Sequence, residues 1–162
     1  MIVAGIDPGK SGALFVFDGA HYQAAREVPL YSLKVGKSKK TVADYVQWSR
    51  DWGELLLGVD HVFIEAVHAM PKQGATSMFT FGYAAGFAHG LIVGQNLPHT
   101  FITPQKWKKI VGLAGSDGEE SRRRASQLHP RGSDLWSKKG QHGVAEAALI
   151  AYAGKQILEG KA

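Results

Sequence analysis

The chain contains no cysteine. That absence excludes a disulfide scaffold, thiolate zinc sites and a cysteine nucleophile. It leaves any bound metal to oxygen and nitrogen ligands, which favours Mg2+ or Mn2+. Long apolar runs are missing as well. The apolar start is cut off at Asp7, short of the roughly 7–15 apolar residues and cleavage site of a secretory signal. The longest weakly polar stretch, residues 79–93, includes His89 and several small residues. It falls short of the roughly 20 apolar residues that a bilayer requires. A cytoplasmic protein with no membrane partner is the expectation. Internal repeats and linkers are also absent, so residues 1–162 are expected to form one domain.

What is present fits a globular chain: 44% hydrophobic and 20% charged residues in a length of 162. A chain of about 150 residues can hide roughly 68–70% of its unfolded surface, so folding needs no metal. The net charge is +5, from 19 Lys and Arg against 14 Asp and Glu. These cations are clustered at Lys34, Lys37, Lys39 and Lys40, at Lys106, Lys108 and Lys109, at Arg122 to Arg124, and at Lys138 and Lys139. Such clustering suits a polyanion partner, and solvated loops and helix faces are the alternative.

Periodicity and turn residues predict strands over 2–7, 13–17 and 22–28, then a lysine-rich loop over 29–40. Thr41 is expected to cap a helix that runs to about Leu57 and stops at Gly58. Further strands are expected over 61–66 and 100–103, with a loop over 67–75 and a helix rich in small residues over 77–95 between them. Short helices over 105–111 and 119–128, a polar loop over 131–141 and a final helix over 144–158 complete the chain. Three leading strands followed by alternation indicate an α/β domain on a mixed sheet.

The segment GIDPGKSG contains Gly9-Lys10-Ser11 but is not a phosphate-binding loop. Gly5 and Gly9 enclose three residues where four are needed, and a strand follows where a helix should. What remains is Asp7 at the tip of an apolar strand. Glu65 holds the same place in HVFIEA. Buried carboxylates are costly unless paired, protonated or bound to a cation. If the two strands are adjacent and parallel, the acids face one another, and either one pKa rises or a divalent cation neutralises both. The other open reading makes each a strand-end turn or cap residue. His142 and Glu146 stand four apart on one helix face among alanines, a pattern for which, taken alone, a structural role is the plainer reading.

The segments GIDPGKSGALFVFD, VFIEA, SMFTFGYAAGFAHG, ITPQKWKK and HGVAEAALIAYAG, in that order, resemble the RuvC-type Holliday junction resolvases, above all their small phage and prophage-type members. The resemblance spans nearly the whole chain. It implies a ribonuclease-H-like fold, with a mixed five-stranded sheet flanked by helices, and a homodimer. It implies a structure-specific DNA endonuclease that resolves four-way junctions or related branched DNA by paired symmetric nicks, one per subunit. Matched residue by residue, the metal-holding acids are Asp7, Glu65 and Glu146, with His142 one turn earlier as a further ligand or proton carrier.

Two Mg2+ ions about 3.5–4 Å apart are the expected cofactors, with Mn2+ as a substitute, clamping the attacking and leaving oxygens. Asp7 is expected to bridge them, with Glu65 and Glu146 each holding one. The basic residues would hold the DNA backbone: Lys10, Lys37, Lys39, Lys40, Lys72, Lys106, Lys108, Lys109, Arg122, Arg123, Lys138 and Lys139. Three departures stand out. Glu146 is longer than the aspartate most bacterial members use, and His142 replaces a carboxylate. The loop after Glu65 lacks the aromatic wedge of some relatives, which leaves His68, Met70 and Phe79 as candidates to enter the junction. A non-catalytic branched-DNA-binding module of the same fold is the alternative.

Overall fold

The structure is a computed structural model that describes residues 1–68, 74–113 and 118–162. Lys72 and Met70 lie outside the described residues. In chain order the strands are β1 (Val3–Asp7), β2 (Ala13–Phe17), β3 (Tyr22–Glu27), β4 (Leu30–Val35) and β5 (Ser38–Ala43), then β6 (His61–Glu65) and β7 (His99–Ile102). The helices are α1 (Tyr45–Leu55), α2 (Ala75–Gly94), α3 (Pro104–Ile110), α4 (Gly118–Leu128) and α5 (His142–Leu158). The expected polar loop over 131–141 holds two short 3-10 turns, Pro130–Trp136 and Lys139–Gln141.

A five-stranded sheet runs in the order β3-β2-β1-β6-β7. β1, β2 and β3 are antiparallel neighbours, while β6 lies parallel to β1 and β7 parallel to β6. This is the mixed α/β sheet expected, and helices cover both of its faces. Successive side chains of a strand point to opposite faces, so each strand feeds two cores. Val3, Phe15, Phe17 and Phe63 enter one core with α5, Trp107 and Trp136. Ala4, Ile6, Leu14, Val16, Val62 and Ile64 enter the other with Trp48, Trp52, Ala84, Ala88 and Ile92 of α1 and α2. Gly5 shares the α5 face with Val3, and there the helix backbone presses directly on the strand. A Cβ at Gly5 would lie 2.2 Å from the Ala147 carbonyl oxygen.

Two expectations are corrected. The segment predicted as a loop over 29–40 is the antiparallel hairpin β4–β5, which forms its own two-stranded sheet. Its strands are exposed on both faces, so no core-facing stripe marks them against the lysine-rich composition. Thr41 consequently lies in β5, paired with Ser32, and does not cap a helix. Asp44 caps α1 instead, its carboxylate accepting from the Gln47 N–H at 3.0 Å. Thr41 and Asp44 are both good cap residues, and strand pairing decides between them.

Burial of His129 gives the fold a pH dependence. It is 6% exposed, stands edge-on to Phe17 and Tyr152, and leaves Nε2 without a partner. Burial pushes its pKa from 6.5 down to about 4, partly offset by a hydrogen bond with the Ala148 backbone. The unfolded chain therefore takes up a proton below about pH 6.5 that the native state refuses until about pH 4. The corresponding stability is complete above pH 6.5 and is lost on acidification, by about 3 kcal/mol in all. Urea titrations of the native chain and of His129→Phe should differ in slope against pH across this window and run parallel above it.

Candidate active site

Three carboxylates are brought together by three different elements. The parallel register pairs Ile6 with Ile64, so the next residues, Asp7 and Glu65, end neighbouring strands side by side. Both share the strand parity of the side chains that face α5. Glu146 lies one turn into α5 and His142 is that helix's first residue. The start of α5 is seated on the turn after β1. A Cβ at Gly143 would lie 2.1 Å from the Ser11 carbonyl oxygen, so the helix can sit there only with glycine. The turn is closed by the Gly12 N–H donating to the Gly9 carbonyl at 2.9 Å.

The acids feel one another. Burial and the negative charge of Glu146 push the Asp7 pKa from 3.8 up to about 6, against the pull of the Gly9 N–H and His142. Burial, Asp7 and Glu146 push Glu65 from 4.5 up to about 7. Lys108 and the indole of Trp107 draw it back. The Trp107 N–H approaches that carboxyl without meeting full hydrogen-bond geometry. None of the ion pairs among the described residues involves these acids. A local turn role accounts for the Gly9 N–H on Asp7, but not for the charge that Asp7 and Glu146 impose on Glu65 from other elements. These acids crowd a shared, partly buried space, with one N–H on Asp7 at 3.3 Å and one hydroxyl on Glu146.

That hydroxyl belongs to Ser121, which is fully buried and donates to Glu146 Oε1 at 3.1 Å. Sequence reasoning missed it. Its only trace is a polar residue on the buried stripe of α4, four positions before Ala125. The role of Trp107 beside Glu65 was missed too; its indole is packed in the core.

The basic residues divide into several groups. Lys10 Nζ donates to the Thr41 carbonyl at 2.8 Å, tying the hairpin to the loop after Asp7. Lys10 and Lys40 line a cleft of about 740 Å3 that also contains Asp7, Tyr45, Phe79 and Tyr83. Lys37 and Lys39 lie on the exposed hairpin. Lys108 stands over the Trp107 ring at 5.3 Å, with Lys106 and Lys109 exposed on the same short helix. Arg122 donates to the carbonyls of Trp136 and Ser137. It also lines, with Lys139 and His142, a recess of about 290 Å3. Arg123 lies 3.9 Å from Glu120. The Lys138 N–H donates to Gln141 Oε1 at 3.0 Å. Of the junction-entering candidates, Phe79 is 75% exposed and His68 is exposed.

Sheet order and flanking helices define a ribonuclease-H-like fold, a mixed five-stranded sheet covered on both faces. The chain is similar to the solved structure of Thermus thermophilus RuvC in complex with Holliday junction substrate, at 18% identity and a TM-score of 0.70, covering 99% of this chain and 97% of that one. A second Thermus thermophilus RuvC structure matches at 20% identity and a TM-score of 0.59, covering 99% and 98%. At these identities the likeness establishes the shared fold. No family model and no curated protein matches the sequence. Among the described residues no helix is long and apolar enough to cross a membrane.

Proposed function

We propose that this chain is a metal-dependent endonuclease that resolves four-way junctions or related branched DNA by paired nicks. The observation that carries the reading is the convergence of Asp7, Glu65 and Glu146: the charge of Glu146 raises the proton affinity of Asp7, and Asp7 and Glu146 together raise that of Glu65. The similarity in fold to a RuvC solved with Holliday junction substrate supports the choice of DNA.

The donor set suits a hard divalent cation: carboxylate oxygens and one imidazole, with no thiolate. As placed, no three of the described His, Asp and Glu side chains stand close enough to share one ion. The crowding of negative charge nonetheless fits such a cation, Mg2+ or Mn2+, held by Asp7, Glu65, Glu146 and His142. Bound there, it would polarise the phosphodiester and acidify the attacking water. The chain's own residues do the rest. Asp7 and Glu65 must both shed protons to hold the cation, so cation affinity should rise with pH up to about 7. Lys108, beside Glu65, offsets the negative charge that an incoming phosphate adds. An imidazole nitrogen of His142 is available to bind the cation or to take the water's proton. Ser121 fixes the rotamer of Glu146.

Ser121→Ala is therefore expected to weaken cation binding by about 10-fold or more, the usual scale for an outer partner of a ligand. Titration of Mn2+ by its magnetic resonance signal checks this without reference to cutting, and Ser121→Thr should restore the affinity.

Paired nicks need two sites, and α2 offers the contact for a second copy. It is apolar on all sides, yet only Ala84, Ala88 and Ile92 are buried. A helix of that composition is normally covered all round. Gly82, Gly86, Gly90 and Gly94 recur every four residues with open space above each. Light scattering should therefore find a dimer, and Gly86→Arg a monomer. The function itself is tested by an end-labelled four-way junction, a fork and a linear duplex, each with Mg2+ and with EDTA. Symmetric Mg2+-dependent nicks confined to branched DNA are expected. Junction binding without cutting would indicate a binding module of the same fold.

A further inference from the structure

We propose that the β4–β5 hairpin is a DNA-gripping arm that holds the backbone of the substrate duplex beside the active-site cleft. This rests on the branched-DNA reading above. The register places Lys34 directly opposite Lys39, and Leu33 opposite Lys40, with Lys37 in the connecting turn. Paired residues share a face, so Lys34 and Lys39 stand side by side on one surface of the hairpin. Like charges so placed destabilise a hairpin, and an isolated two-stranded hairpin is marginal in water. None of the four lysines is in an ion pair among the described residues. The hairpin thus carries a concentrated positive charge that its own structure does not use, and a phosphate backbone is the complementary surface.

Its base is registered to the candidate catalytic site. Lys10, three residues after Asp7, holds the Thr41 carbonyl. The Val28 N–H donates to Gly12 at 3.0 Å, and the Asp44 N–H donates to Pro29 at 2.8 Å. The cleft beside Asp7 is lined by Lys40, Thr41 and Val42 together with Phe79 and Tyr83. A strand with a phosphate at Asp7 therefore passes the root of the hairpin as it leaves. DNA is favoured over a second copy of the chain because the charge is of one sign and α2 already provides an apolar face for that copy.

The test is the salt dependence of junction affinity. Each phosphate contact contributes about 0.9 to the slope of log K against log salt on duplex DNA. Lys34→Ala/Lys39→Ala should reduce that slope by about 2 and weaken binding at low salt. Its melting temperature should stay equal or rise, because a repulsive pair has been removed. Lys161→Ala, a single-charge control paired with Glu159 near the C-terminal end of the chain, should keep the native slope. An unchanged slope in the double variant overturns the arm while junction cutting by the native chain upholds the function. Conversion of a native dimer to monomer by the double variant would assign the hairpin to a subunit contact and overturn the arm. Failure of the native chain to bind any branched DNA would overturn both readings.

Discussion

Asp7→Asn is expected to abolish Mg2+-dependent cutting of a four-way junction, by about 1,000-fold or more, while junction binding persists. Loss of one charge-stabilising group from a transition state commonly costs about 10²–10³ in rate, and Asp7 is also expected to hold the cation. Glu146→Gln should do the same. A cutting rate near that of the native chain in either variant would remove the site assignment. The same substitution has a second signature in stability. The Asp7 carboxyl holds its proton up to about pH 6 in the folded chain, against 3.8 when free. That contribution is therefore fully present below about pH 3.8 and is lost as pH rises through 6. At pH 8 in EDTA the ionised group is a burden of up to about 3 kcal/mol. Asp7→Asn should accordingly melt higher than the native chain at pH 8 and lose that advantage at pH 4. Added Mg2+ should stabilise the native chain at pH 8 and leave the variant largely unmoved.

Gly5→Ala is expected to be among the most damaging single-methyl changes in the fold, with those at Gly12 and Gly143. The added Cβ would lie 2.2 Å from the Ala147 oxygen and 2.4 Å from the Ala151 nitrogen. Both are backbone atoms, so no rotamer change can relieve the clash and α5 must lift from the sheet. Overpacking of a core usually costs about 1–3 kcal/mol, and more where neighbours cannot yield. With α5 displaced, Glu146 withdraws from Asp7 and Glu65, so cutting should fall even where the variant remains folded. Gly53→Ala is the contrasting change. Its nearest neighbour is the end of the Gln95 side chain at 3.6 Å. There the gain in helix propensity, about 0.5–1 kcal/mol, should raise the urea midpoint.

Much of the site was legible because it breaks the pattern around it. Asp7 and Glu65 end apolar strands, and Glu146 interrupts a run of alanines, so each stands out against apolar neighbours. Their convergence was conditional on β1 and β6 being parallel neighbours, which no single segment could state and the register supplies. The hairpin was hidden for the opposite reason. Tyr31, Leu33 and Val35 alternate as a strand should, but all are exposed, and the adjacent lysines read as loop. The glycine-rich α2 was open to two explanations, packing on the sheet or contact with a second copy. The empty space over Gly82, Gly86, Gly90 and Gly94 shows that the sheet does not use them. Ser121 could not be singled out at all, since a buried serine becomes informative only when its partner across space is known.

The side-by-side ending of β1 and β6 carries one more consequence. Side-chain direction in a strand has a period of two, so a one-residue slip turns every side chain to the opposite face. Lengthening β1 or β6 by one residue would therefore swing Asp7 or Glu65 away from α5 into the layer of α1 and α2, whatever residue were added. Residue 7 and residue 65 are defined by count as much as by chemistry. Single insertions within 3–7 or 61–65 should erase the site while leaving a plausible sheet. The turn at the tip of the β4–β5 hairpin, far from that count, is where extra length can be absorbed.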